Sequence, residues 1–235
     1  MQWLLSLLFT GFLFAVTFVY GLVIACASVL PYRYRAALAR QWARVSLGAL
    51  KWLCGLDYVV EGREHIPAGA HISMWRHTSA WETIAQAVVF PPQAWVLKRE
   101  ILWIPLIGWG TKAMRPIAID RSAHAAAVNQ VVAQGRERLA QGLWILIFPE
   151  GTRVGVGERR RYGISGALLA SQTGRMIVPV AHDAGRYWAR RGLLKKRGTI
   201  RVVVGPAIDP AGRDARAISE EVKAWIDAKV AELDG

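Results

Sequence analysis

Residues 143–153 read Leu143-Trp144-Ile145-Leu146-Ile147-Phe148-Pro149-Glu150-Gly151-Thr152-Arg153, six apolar residues running straight into a proline and a polar turn. A short apolar run that stops at a turn signal reads as a strand buried on both faces, because neither side of it is built to meet water. Comparable runs stand at 70–75, 94–97, 117–119, 176–180 and 199–204, and helical stretches at 79–89, 122–141, 165–173 and 217–233 fall between or after them. The alternation predicts an α/β fold, a mixed or mostly parallel sheet flanked by helices. In open sheets of this kind ligands gather beyond the carboxyl ends of the strands. The junction after Phe148 and its counterpart after Trp75 are therefore where chemistry is expected.

Ahead of this domain the character changes. From Met1 to Tyr32 no side chain is charged, and residues 3–30 give 28 uncharged, mostly apolar positions, about 42 Å of helix at ~1.5 Å per residue. That is long enough to cross a bilayer. A secretory signal would carry a positive start and a shorter apolar core, so the segment is read as a retained anchor. After Pro31 come Arg33, Arg35, Arg40, Arg44 and Lys51, with no acidic residue before Asp57. The positive-inside rule places the chain beyond Pro31 in the cytoplasm, on the inner membrane. A helix over 36–56 would gather Arg40, Arg44 and Lys51 on one side and Leu38, Trp42, Val45, Ala49 and Leu53 on the other, the pattern of a basic amphipathic helix lying on a membrane. An alternative is a hairpin that dips into one leaflet, or simple packing on the domain. The division expected is thus residues 1–56 for anchoring helices and 57–235 for the α/β domain.

Composition agrees with a membrane partner. Among 235 residues, 30 Lys and Arg face 17 Asp and Glu, the formal charge is +13, 53% of residues are hydrophobic, and there are 11 Trp. Basic charge alone suits nucleic acid or an anionic membrane; the apolar, Trp-rich composition favours the membrane. Cys26 and Cys54 are too few for a disulfide framework, and no paired His or Cys stands at metal-ligand spacing. Neither a metal nor a resident cofactor is expected.

At the first junction His77 and Glu82 lie five residues apart in His77-Thr78-Ser79-Ala80-Trp81-Glu82. On one regular helix they would point about 140° apart, so they can meet only if His77 precedes the helix. A carboxylate on one imidazole nitrogen would then fix the tautomer and raise the basicity of the other nitrogen, making a general-base dyad. The same residues also spell a capping box, Ser79 to Glu82, at a helix start. At the second junction Gly151 permits close backbone approach, Thr152 offers a hydroxyl and Arg153 a planar fork of donors, which suits an oxyanion such as phosphate.

With both junctions in view, the chain resembles the glycerolipid acyltransferases, in particular the bacterial 1-acyl-glycerol-3-phosphate acyltransferase type. The resemblance runs over almost the whole chain in four ordered blocks: His77 to Glu82; Lys98-Arg99-Glu100 with Pro105, Gly108 and Ile117-Ala118-Ile119-Asp120-Arg121; Phe148 to Arg153; and Val178-Pro179-Val180. It implies transfer of an acyl chain from acyl-carrier protein or coenzyme A to the 2-hydroxyl of 1-acyl-glycerol 3-phosphate, with no covalent acyl-enzyme. His77 would be the base, Glu82 its partner, and Lys98, Arg121, Glu150, Gly151, Thr152 and Arg153 the acceptor-binding residues. Glu150 would bond a glycerol hydroxyl or brace the arginines, and Pro179 would shape the pocket. Glu82 departs from the Asp usual at its place, and Glu there is also found in relatives that acylate other lipids, lipid A-type acceptors among them, so another lysolipid or a lipid A-type acceptor is the second reading.

The remaining signals are weaker. Residues 153–201 hold twelve Lys and Arg against Glu158 and Asp183, which would suit an anionic leaflet, an acidic carrier protein or the phosphates of coenzyme A. A nucleic-acid binder would need stacking aromatics, and between Arg186 and Arg201 only Tyr187 and Trp188 offer them, so no nucleic acid is expected. A lipid hydrolase is the third class. His65, His71, His124 and His182 lack a partner at comparable spacing and read as structural or surface groups, as does Arg99.

Overall fold

A computed structural model describes residues 1–105, 107–123 and 125–234; His124 falls outside them. Two long helices come first, α1 (Gln2–Cys26) and α2 (Tyr32–Cys54). Then come β1 (Leu56–Glu61), β2 (Ile72–Trp75), α3 (Trp81–Val89), β3 (Gln93–Lys98), α4 (Ile107–Ala113), β4 (Ile117–Ile119), α5 (Ala125–Ala140) and β5 (Trp144–Ile147). The chain ends with α6 (Ser165–Thr173), β6 (Ile177–His182), α7 (Ala184–Tyr187), β7 (Gly198–Val204) and α8 (Ala215–Asp234).

The seven strands form one sheet in the order β1-β7-β6-β2-β5-β3-β4. Strands β6, β2, β5, β3 and β4 run parallel, while β7 is antiparallel to β6 and parallel to β1, so the sheet is mixed, with its two reversed strands at one edge. Its centre is sealed on both faces: every residue of β2, β5 and β6 is buried. That is why these strands read as unbroken apolar runs rather than alternating ones. Helix α6 packs on β2, α5 on β4 and β5, and α8 on β6. Trp75, Phe90 and Trp144 meet edge-on at 5.3–5.6 Å between ring centres and close the core near α3.

The six strands expected from sequence are all present, within two or three residues. The one that sequence reading missed, β1, begins at Leu56, where the predicted second helix was to end; Gly55, at φ 66°, stops α2 with a left-handed residue that only Gly adopts freely. Helix α4 was also missed, because Gly108 and Gly110 in a seven-residue segment argue against a helix. Their reason is packing. A Cβ on Gly110 would stand 2.6 Å from the carbonyl oxygen of Gly21, so α1 and α4 cross with backbones nearly touching. Gly110→Val should force these helices apart and cost about 1–3 kcal/mol, seen as a melting temperature lower by roughly 2–12 °C.

Helix α2 differs from its expected orientation. Its buried stripe is Ala43, Leu47, Leu50 and Cys54, about a third of a turn away from the apolar face predicted, because α2 is held by α3 and β1 as well as by α1. Trp42 of the predicted apolar face bonds Thr17 of α1 at 3.1 Å. Nor is the predicted basic face free. Arg40 donates to the carbonyls of Ala87 and Phe90 at the end of α3, where a cation complements the helix dipole, and Lys51 pairs with Asp57 at 2.7 Å. Arg44 is the member of that trio with no hydrogen bond or ion pair among the described residues.

Candidate functional site

Strands β2, β5, β3 and β4 are neighbours and parallel, so the residues beyond their carboxyl ends arrive at one rim. His77 comes after β2, Pro149 to Arg153 after β5, Lys98 closes β3, and Asp120 and Arg121 come after β4. Three of the four sequence blocks thus become adjacent in space for this topological reason, while the fourth, Val178-Pro179-Val180, lies within β6.

His77 precedes α3, as the angular argument required. Its Nδ1 lies 2.8 Å from Oε1 of Glu82. The same oxygen accepts the backbone N–H groups of Thr78 and Ser79, each at 2.8 Å. Capping box and dyad are therefore not alternatives: one oxygen of a fully buried carboxylate does both. Its partner Oε2 has no hydrogen bond among the described residues and faces Nε2 of His182 at 3.9 Å. With Nδ1 donating to Glu82, the Nε2 of His77 carries the lone pair. Phe148 stacks on the imidazole at 3.9 Å and 16° between planes, and the Val154 N–H holds the His77 carbonyl at 2.8 Å. The ring is fixed by a carboxylate, an aromatic face and a backbone bond.

A cavity of about 240 Å³ opens beside His77, lined by Trp95, Leu97, Ile101, Arg121 and Phe148 among others. A second, also about 240 Å³, shares Thr83, Gln86, Trp95 and Thr111 with the first and continues between α1, α2 and α4 to Ile24 and Met114. Together they make one largely apolar channel from the imidazole to the amino-terminal helices.

Of the predicted acceptor residues, Arg121 lines this cavity and donates to the Gly151 carbonyl at 2.7 Å. Gly151 stands at φ 69°, a turn that suits glycine. Thr152 is exposed and Arg153 half-buried at the same turn; among the described residues the Arg153 guanidinium has no acidic partner within 4 Å. Lys98 is exposed at the end of β3, one position before Arg99, which pairs with Asp120 at 2.7 Å. Glu150 is corrected as an acceptor-binding residue and keeps the other role expected of it, bracing an arginine. Its side chain is fully buried and points away from this rim onto Arg76, with Oε1 3.3 Å from Nη1, so it braces an arginine and offers nothing to a glycerol hydroxyl. Burial pushes its carboxyl up to about 7, against the pull of Arg76.

Two residues that sequence reading missed complete the arrangement. Arg76, 2% exposed, bonds Glu150 and the carbonyl of Glu158 and faces Asp227 of α8 at 3.9 Å. His182, at the end of β6, contacts the Arg76 carbonyl through Nε2 at 2.8 Å and takes the Ala184 N–H on Nδ1 at 3.3 Å. Burial holds its pKa below the usual histidine range, so it is neutral behind Glu82. The available clue was Arg76 itself, the lone charged residue between Glu64 and Glu82 apart from the histidines; a cation at the end of a buried strand needs a buried partner.

A fixed imidazole base beside a cationic rim and an apolar channel suits transfer of a long acyl chain to a hydroxyl. Residues 57–183, from β1 through β6, match the family model described as Acyltransferase, and the chain belongs to that family. It is 40% identical to a 1-acyl-sn-glycerol-3-phosphate acyltransferase of Pseudomonas aeruginosa, over 97% of this chain and 91% of that protein. A protein of the same name from Limnanthes alba is 29% identical over 76% of this chain and 63% of its own length. The crystal structure of a 1-acyl-sn-glycerophosphate acyltransferase from Thermotoga maritima has the same fold, with a TM-score of 0.83 and 21% identity over 100% of this chain and 96% of that one.

Proposed function

We propose that the protein acylates the 2-hydroxyl of 1-acyl-glycerol 3-phosphate, using a thioester of acyl-carrier protein or coenzyme A, and so makes phosphatidic acid. The observation that carries this is the bonded His77–Glu82 pair at the head of an apolar channel, next to Arg153, whose guanidinium has no acidic partner among the described residues. Nε2 of His77 takes the hydroxyl proton as the oxygen attacks the thioester carbonyl. The tetrahedral oxyanion then collapses, expelling a thiolate that recovers the proton from the imidazolium. Glu82 stabilises the imidazolium meanwhile. Arg121 and Arg153, with Lys98 beside them, hold the acceptor phosphate, and the channel takes an acyl chain. Among the described residues neither cysteine lies at this rim, since Cys54 bonds the Leu5 carbonyl and Cys26 ends α1, which supports direct transfer without an acyl-enzyme.

For membrane association we propose that α1 lies in one leaflet rather than crossing it. Its outer face exposes Leu4, Leu7, Leu8, Phe14, Phe18 and Val19. Its inner face is occupied along nearly the whole helix: Gln2 donates to the carbonyls of Cys54 and Lys195, Ser6 and Thr10 bond the buried Lys195, and Gly21 meets α4. The polar stripe at positions 2, 6 and 10 is thereby satisfied by the domain. A spanning helix would have to abandon these bonds and bury the polar groups in hydrocarbon. The domain then sits on the cytoplasmic face, with anionic lipid as its neighbour.

The test is purified protein in lipid or detergent with a labelled thioester and a panel of lysolipids that includes lysophosphatidate, other lysophospholipids and lipid A-type acceptors. Acylated lysophosphatidate is the expected product. Transfer only to another acceptor would favour the second reading, which the Glu82 departure supports, and free fatty acid alone would mean a hydrolase.

A further inference from the structure

Another cavity shares no lining residue with the channel. A cleft of about 570 Å³ lies between Trp3 at the start of α1, Val156 and the segment 185–197. Among the described residues three cations line it, Arg186, whose guanidinium also donates to the Leu233 carbonyl, Lys196 and Arg197, and no carboxylate does. Its remaining wall is apolar, including Trp3, Val156 and Leu193, which are 61%, 54% and 38% exposed. Several of the basic residues between 153 and 201 are committed elsewhere: Lys195 is buried on α1, Arg190 pairs with Glu158 and Arg201 with Glu61. Lys196 and Arg197 have no acidic partner within 4 Å among the described residues, and the Arg197 side chain lies against Gly55, where a Cβ would come within 2.7 Å of its Nε.

We infer that this cleft seats the phosphate-bearing head group of an anionic phospholipid, separately from the acceptor seat at the catalytic rim. The chemistry is that of an amphiphile, cations for a phosphate beside apolar surface for the start of a chain. A water-soluble phosphate leaves Trp3 and Leu193 unexplained. A carrier protein presents a convex acidic surface, which a cleft edged by Trp3 does not receive well. Position decides for lipid: Trp3 in the cleft wall directly precedes Leu4 on α1, the helix assigned to the leaflet, so the cleft opens at head-group depth. It is also preformed, because Gln2 and Ser6 bond the backbone of Lys195 and tie α1 to the segment that carries Lys196 and Arg197. The inference rests on the one-leaflet reading of α1.

The experiment floats the full chain with phosphatidylcholine vesicles, with or without phosphatidylglycerol, and compares wild type with Lys196→Gln/Arg197→Gln. Both side chains are exposed, so the fold should survive. Wild type should bind both vesicles and prefer the anionic ones. The double variant should bind phosphatidylcholine equally well but lose roughly 25-fold of the anionic preference, from a factor of about five per cation near a charged leaflet. Soluble glycerol 3-phosphate should not displace wild type. An unchanged preference, or displacement by glycerol 3-phosphate, overturns the inference. So does a higher KM for a carrier-protein donor with vesicle binding intact, which would make the cleft a protein dock. Wild type that binds neither vesicle would overturn it through the reading of α1, a failure distinct from loss of the anionic increment alone.

Discussion

His77→Ala should lower kcat by at least ~100-fold and leave the melting temperature within a few degrees of wild type. General-base help contributes about 10²–10⁴ in rate, and among the described residues neither nearby carboxylate can replace the imidazole: Glu82 is buried behind it, and Glu150 is turned onto Arg76. The KM for the acceptor should change little, because the proposed phosphate seat is built from other residues. Steady-state kinetics on the purified protein measure both, and retention of a tenth or more of the turnover would remove His77 from the chemistry. Glu82→Gln separates orientation from capping. An amide keeps an acceptor for the Thr78 and Ser79 N–H groups but cannot balance an imidazolium, so kcat should fall about 10-fold or more with a modest loss of stability. A lowered melting temperature with normal turnover would reduce Glu82 to a cap.

The dyad was legible in sequence because its geometry is local: His77 meets Glu82 only ahead of a helix, and the turn from β2 into α3 supplies that. The rim was legible because parallel strands bring their carboxyl ends together, so neighbours in space can be named from the strand ends alone. What failed was anything that depends on which way a side chain turns once the chain is packed. Glu150 belongs to the right turn but points inward, since Arg76 waits there. The basic character of 153–201 was correctly counted, yet Lys195 within it is 1% exposed, held by Ser6 and Thr10 with its ammonium 4.7 Å from the Trp188 ring centre. Composition cannot tell a surface cation from one enclosed by another helix. The face of α2 was misplaced for a similar reason: a hydrophobic stripe predicts one contact surface, and this helix has two.

Arg76→Met should be the most destabilising single change among those considered, because it strands the buried Glu150 carboxylate, whereas Asp227 keeps Lys223 at 2.7 Å. The Arg76 and Glu150 side chains are 3% and 0% exposed, and Asp227 is 15% exposed. Removing one member of a buried pair typically costs about 3–5 kcal/mol, since the remaining charge has lost both water and partner. For a chain of this size that is roughly 6–20 °C in melting temperature. Glu150→Gln should cost less, because burial already favours its neutral form and Asp227 stays near the guanidinium. In Arg76→Met/Glu150→Gln no charge is stranded on Glu150, so the double variant should be more stable than Arg76→Met, with a coupling above about 1 kcal/mol. Thermal melts of the four proteins close this cycle. The pair also ties together two parts of the proposed reaction, since Arg76 precedes the base and Glu150 precedes the Gly151–Arg153 turn. The double variant, even where it is folded, should therefore show a raised KM for the acceptor as the turn loosens relative to His77. Additive losses of stability with an unchanged KM would mean that Arg76 and Glu150 are independent core groups and that the rim is held by its backbone bonds alone.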